Sequence, residues 1–415
     1  METELPAINR WSQFEKLVFR FFGLYLLLYM APTTFANFLW DGMVNFLAEH
    51  VLHLSNPITI KPNGSGDTTY NYVQLLGVAL LATAGSITWT LIDRKRLHYD
   101  RLLYWLLVLV RYYLAMSMIS YGFAKIFQTQ FQFPYLQRLV QPIGDASPMG
   151  LVWTFMGYST GYNLFTGIAE ALGGFFLLFR RTTTFGALLS IAVLANIVAL
   201  NFFFDIPVKL FSSHLLLMAV FVALPDIPRL IRLFFLNKPV PATVTPPPFQ
   251  RKWMRITRIA LKVLIIGVCL FGGVYGKMQL KKYYGDTSSR PAIYGIYKVD
   301  SFEMNGEVLP PLTTDSIRWN TFIVSNERYV TIKAMNDSIR NYSITLNPAG
   351  STFLWSTSKG SIGDFSYHIP DSTTLNLHGK LNNDTVNIHL KKIDHNKFRL
   401  VNRGFNWINE YPYNR

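Results

Sequence analysis

A few polar side chains interrupt otherwise apolar stretches, and they are where this sequence could do chemistry. Arg111, Glu170, Asn196 and His214 sit inside such stretches, while Lys125, Asn201, Asp205 and Lys209 sit near their ends. An ionisable group inside a membrane-spanning helix is costly, so it faces protein or water and is a functional candidate by default. Helical spacing puts Arg111, Ala115, Met118, Gly122 and Lys125 on one face. Asn163, Gly167, Glu170 and Gly174 share another, and their glycines would admit a second helix closely. Arg111 and Glu170 fall at comparable depth in their stretches, so an ion pair between them is the simplest way to accommodate both. Such a pair would be structural, or it would anchor a ligand or relay a proton. His214, whose ordinary pKa is near neutrality, would transfer protons or serve as a hydrogen-bonded packing residue. Asp205 and Lys209 flank a proline-containing turn, where a solvated cap pair is expected. With Tyr121, the residues Lys125, Asn201, Asp205, Lys209 and His214 gather toward one end of the stretches and would form a polar pocket opening on that side. Glu170, Arg111, Lys125 and His214 are the catalytic candidates. Tyr121, Asn196, Asn201, Asp205 and Lys209 are the candidates for substrate binding.

Those residues need elements that can hold them in a bilayer. Half of the 415 residues are hydrophobic and 15% are charged, against about 25% charged in soluble domains. A soluble cytosolic enzyme is thereby excluded. A bilayer crossing takes about 20 apolar residues, and seven runs approach that length: 17–37, 69–92, 102–124, 161–179, 184–204, 209–224 and 257–275. Residues 38–50 are too polar to cross and read as interfacial. The first apolar run starts late and lacks a small-residue cleavage site, so no cleavable signal peptide is expected. The proline-rich segment 237–249 reads as an exposed connector.

The net charge of +15 points to the loops of a membrane protein rather than to a nucleic-acid partner. The loop 93–101 and the Arg180-Arg181 turn are basic, and residues 226–258 carry seven Lys and Arg against the single acid Asp226. All three fall on one side together with Arg10, Lys16 and Arg20 of the N-terminus. The positive-inside rule makes that side cytoplasmic. Seven crossings then place residues 277–415 outside.

Residues 277–415 change character and become rich in Asn, Asp, Ser and Thr. Apolar and polar residues alternate through 329–333, 342–346, 374–378 and 386–390, as in half-buried strands. Asn382-Asn-Asp384 and Asp394-His-Asn-Lys397 supply turn chemistry. About eight short strands suit a small closed barrel, because closure removes exposed edges. An open sandwich is the alternative. The expected organisation is therefore a membrane α-helical bundle of about seven helices plus a small C-terminal all-β barrel. Its regions are 1–100 with two spans, a four-helix core at 101–235, the linker and last span at 236–276, and the barrel at 277–415.

No Walker loop, post-strand GxGxxG, HExxH or GxSxG is present. The one cysteine, Cys269, excludes internal disulfides, CxxC redox pairs and cysteine-based metal centres. No second His or carboxylate stands at helical spacing from His214, so no metal site is expected there. Tyr121-Gly-Phe-Ala-Lys125, Ser147-Pro-Met-Gly150, Gly167-Ile-Ala-Glu170-Ala-Leu-Gly-Gly174, Arg180-Arg-Thr-Thr-Thr184 and Asp205-Ile-Pro-Val-Lys209 resemble the DoxX-like membrane proteins of bacteria, particularly the larger forms of Bacteroidetes. The resemblance covers roughly residues 100–235 and implies a four-helix membrane core in the bacterial cytoplasmic membrane. The tail resembles a lipocalin-like barrel. That core is also similar to the membrane part of vitamin K-dependent carboxylases, so the resemblance implies a bound isoprenoid quinone. A thiol-based mechanism does not follow, because Cys269 lies outside the matched core.

Three readings of function are open. The first is a quinone-linked membrane redox protein, working with a redox partner, whose site contains Arg111, Glu170, and Lys125 or His214. The second is a transporter or lipid-handling protein whose barrel binds an apolar ligand, with Ile332, Ile344, Leu377 and Ile388 lining a cavity or simply filling the core. A cavity of roughly 300 Å³ or more would favour ligand binding. The third is a membrane scaffold whose barrel docks a partner protein.

Overall fold

The computed structural model describes residues 11–31, 37–54, 58, 64–240, 251–284, 290–357 and 360–414. Arg10, the end of the first apolar run and residues 241–249 of the proline-rich segment lie outside them, as does the side chain of Cys269. The chain divides into two compact units, residues 1–130 with 161–278 and residues 131–160 with 279–415. The second unit thus takes in residues 131–160, from within the stretch 101–235 that the sequence reads as a single core.

In chain order the helices are α1 (Gln13–Met30), α2 (Asn37–Phe46), α3 (Thr69–Ile92), α4 (Asp100–Ile126), α5 (Leu136–Val140), α6 (Pro148–Tyr158), α7 (Thr160–Leu177), α8 (Thr183–Phe203), α9 (Lys209–Ala223), α10 (Ile227–Phe234), α11 (Lys252–Tyr284) and α12 (Arg399–Asn402). α5, α6 and α12 belong to the second unit. Among the described residues, five helical segments are long and apolar enough to cross a membrane: α3, α4, α8, α9 run together with α10, and α11. Seven were expected. The other two, α1 and α7, have 18 residues each, about 27 Å of helix against a hydrocarbon core of about 30 Å. α1 also carries Glu15, Lys16 and Arg20, and α7 is diluted by Thr, Asn, Gly and Glu170.

Local chemistry sets where these helices start. Ser12 and Glu15 form a reciprocal capping box at α1, and Thr68 and Asn71 do the same at α3. The first apolar core joins α1, α4, α7, α8 and α9 around Leu26, Val110, Leu114, Met118, Leu177, Leu194 and Met218. α11 buries none of its apolar window and exposes Ile259, Val263, Leu264 and Phe271. Among the described residues, only Ile266, Leu270 and Val274 of this helix rest on the helical core, and a helix whose remaining apolar faces are exposed suits lipid as its solvent. The interfacial segment forms α2 and a following π turn, with Val44 and Leu47 buried against Val73 of α3.

The strands of the second unit are β1 (Gly295–Met304), β2 (Glu307–Val308), β3 (Trp319–Val324), β4 (Tyr329–Ala334), β5 (Ile339–Asn347), β6 (Thr352–Thr357), β7 (Gly360–Asp371), β8 (Thr374–Leu381) and β9 (Asp384–Ile393). They pair antiparallel in sequence order, and β9 returns to β1, with Ile296 opposite Ile393 and Met304 opposite Val386. The result is a closed barrel of eight strands, with the two-residue β2 appended to β1; the open sandwich does not form. Asn382, in the left-handed region at φ +56°, makes the tight turn between β8 and β9. Asp394 instead starts a 3-10 turn after the last strand, accepting from the Asn396 amide at 3.1 Å. The interior is filled by Phe302, Trp319, Phe322, Phe353, Trp355 and Phe365. Ile344, Leu377 and Ile388 join that filled core. In the same unit, α5 lays Leu136 on Ile296 and Ile323 of the barrel wall, and Ser325 Oγ donates to Gln137 Oε1 at 2.7 Å.

Candidate functional site: a buried lysine–glutamate pair

The α4–α7 seam is built on bare Cα atoms. A methyl group at Gly122 would lie 2.7 Å from the Gly167 carbonyl oxygen, and one at Gly174 would lie 2.7 Å from that of Ala115. Only glycine permits backbones this close. The contacts fix the register: residue 122 of α4 lies beside 167 and 171 of α7, and 115 beside 174. On that seam the Lys125 ammonium donates to Glu170 Oε2, and both side chains are buried. Tyr121, one turn back on α4, is close enough to Glu170 to feel its charge. It is partly exposed and packs its ring on Phe211, 5.9 Å away.

The expected Arg111–Glu170 pair does not form. By the glycine register Arg111 lies beyond Leu177, the last residue of α7, at the turn into α8. There Arg111 donates to Thr183 Oγ1 at 3.0 Å and lies over the Tyr112 ring. Depth counted from the ends of apolar runs misplaced the pair, because α4 has 27 residues and α7 only 18.

His214 has both ring nitrogens engaged. Nδ1 faces the Leu210 carbonyl at 2.7 Å and must donate to it, so Nε2 accepts from the Tyr25 hydroxyl at 2.7 Å. Its ring also stacks on Tyr29 at 3.9 Å. This is the hydrogen-bonded packing role. Asn201 donates to Ser212 Oγ at 2.8 Å and joins α8 to α9. Lys209 pairs with Asp205 at 2.8 Å in the solvated α8–α9 turn, where Asp205 adopts φ +50°. Asn196 is exposed on α8, outside the buried set. The structure therefore brings together Lys125, Glu170 and Tyr121, and it gives His214, Asn201, Asp205 and Lys209 local structural partners.

Two polar devices escaped the sequence. Asp67 accepts from the amides of Lys209 and Leu210 at 2.7 and 2.9 Å, capping α9 from a distant loop. Its only sequence signal is an acid in the Gly64-Ser-Gly-Asp67 turn. Arg20, used above only as a topology marker, is buried and donates to the Tyr99 hydroxyl, to Thr90 and to the Asp93 carbonyl. A lone arginine in an apolar run, followed by Asp93 and Tyr99 at the end of the next, is the signal that could have found it. Among the described residues no three His, Cys, Asp or Glu side chains stand close enough to hold a metal ion.

The fold defines a class: a helical unit suited to crossing a membrane, followed in the same chain by a closed eight-strand barrel. The chain belongs to the family of a protein of Bacillus subtilis (strain 168) described as the uncharacterized protein YwoB. The two are 34% identical over 126 residues, 30% of this chain and 79% of that protein. That description brings no activity with it. No family model matches the chain, and no solved structure matches it.

Proposed function

We propose that this chain is a DoxX-like, quinone-linked redox protein of the bacterial cytoplasmic membrane. In this reading α1 and α7 also cross the bilayer, the basic loops face the cytoplasm, and the barrel is periplasmic. The observation that carries the proposal is the buried Lys125–Glu170 pair on the glycine-packed seam. A cation and an anion withdrawn from water are expensive to keep, and apolar residues of similar size would pack as well or better. Retaining them is best accounted for by a ligand that needs them.

The donor set fits a quinone headgroup, which offers two carbonyl acceptors on an apolar ring. The Lys125 ammonium has three donors and Glu170 takes one. Tyr121 adds a hydroxyl beside it. A bound quinone would supply two-electron, two-proton redox chemistry, with the electrons delivered by a partner protein. Lys125 would orient a carbonyl oxygen and give it a proton, Glu170 would hold the ammonium in place and share its proton, and the surrounding apolar side chains would exclude water. The test is mass spectrometry of small molecules extracted from the gently purified protein. A stoichiometric quinone in wild type that is lost in Glu170→Gln supports the reading. A Glu170→Gln protein that fails to assemble, with no quinone in wild type, makes the pair structural.

A further inference from the structure

The barrel interior is filled, yet one of its mouths is not. A cavity of about 270 Å³ opens where β4, β6 and β8 end and β5, β7 and β9 begin. Its floor is aromatic: Trp319 and Trp355 lie 5.3 Å apart, and Tyr342 meets Trp355 edge-on at 4.7 Å. Two buried polar atoms on its walls have no hydrogen-bond partner among the described residues, Trp355 Nε1 and Ser338 Oγ. Trp355 is 1% exposed, and an indole N–H can only donate. A buried donor left without an acceptor is destabilising, and so calls for one. The third polar group is Arg340. It is cross-strand partner to Ile332, which faces the interior, so its side chain leaves the strand on the interior face at the rim. It makes no ion pair among the described residues. The acid of the same mouth, Asp384, is held by Asn305 at 2.8 Å.

We propose that this mouth binds a compact carboxylate carried on a flat apolar body. The carboxylate pairs with Arg340 and accepts from Trp355 Nε1 and Ser338 Oγ, while the body lies on the Trp319, Trp355 and Tyr342 rings. The volume falls below the 300–1,000 Å³ of sites for drug-sized ligands, so the site suits a small acid and not a lipid chain. This inference is independent of the quinone reading.

The experiment measures benzoate binding to the detergent-purified full chain by ligand-observed NMR, with benzamide as the neutral isostere. Saturable benzoate binding is expected, with benzamide weaker by about tenfold or more, since a hydrogen bond to a charged group is worth roughly 10- to 100-fold in affinity. Arg340→Gln should abolish the preference for the acid. Trp355→Phe, which keeps a ring and loses the N–H, should weaken benzoate by roughly 3- to 10-fold. Arg328→Gln, at the opposite mouth, should bind as wild type does. Because Arg340 is exposed, its variant tests the site without disturbing the core. Equal affinity for benzoate and benzamide, an unchanged preference in Arg340→Gln, or no saturable binding at millimolar benzoate would overturn the proposal.

Discussion

Lys125 and Glu170 hold each other where neither would be stable alone. Replacing either one singly, by Lys125→Met or Glu170→Leu, should cost about 3–5 kcal/mol, because it leaves its partner buried without a counter-charge. The double variant should recover most of that loss; reversible unfolding in detergent measures both. Asp67→Ala should cost about 1 kcal/mol in the same assay, as the loss of a helix cap does, without altering the Lys125–Glu170 coupling. Both members of the pair were legible in the sequence, each as a charge in or at the end of an apolar run. Their partnership was not, since helical spacing fixes which residues share a face but not how two helices slide past one another. Asp67 was invisible for a related reason: its target amides lie 142 and 143 residues further along the chain.

At the level of elements, the glycines of α4 and α7 set the seam on which the pair forms. Gly122→Ala would place a methyl group 2.7 Å from the Gly167 oxygen and from the Ala171 amide nitrogen. The helices must then part, at an expected cost of about 1–3 kcal/mol. The Lys125–Glu170 coupling should weaken with it, which a double-mutant cycle in the Gly122→Ala background reads directly. The sequence showed the strands that alternate cleanly, β8 and β9 most plainly. It did not show β3, whose residues are buried almost without interruption. Ile323, on its outer face, is covered by Leu136 of α5, so the two-residue period is lost exactly where a helix packs on the barrel wall. The same contact explains why residues 131–160 belong with the barrel unit, although they read as part of the helical core.

Across the whole molecule, the division into an apolar helical part and a polar strand part was plain from composition, while helix crossings and ligands were not. The barrel should lose stability in alkali. The Tyr297 hydroxyl, buried in the barrel and donating to the Ile293 carbonyl at 3.1 Å, is pushed up to about 12 by loss of hydration. An unfolded tyrosine ionises near pH 10, so the unfolded barrel releases this proton first. The contribution is whole below about pH 10 and is lost as the pH rises through about 12. Tyr297→Phe should remove that part of the pH dependence, followed by tyrosinate absorbance alongside unfolding. For the helical unit we propose that Lys125 and Glu170 are kept for a ligand. The most direct test is thermal unfolding in detergent against increasing short-chain quinone, for wild type and for the Lys125→Met/Glu170→Leu double variant. Binding to the folded state alone should stabilise wild type by about 2.7 kcal/mol at a hundredfold excess over the dissociation constant, and leave the folded double variant unmoved. An equal rise in both proteins, or none in wild type, would contradict the account.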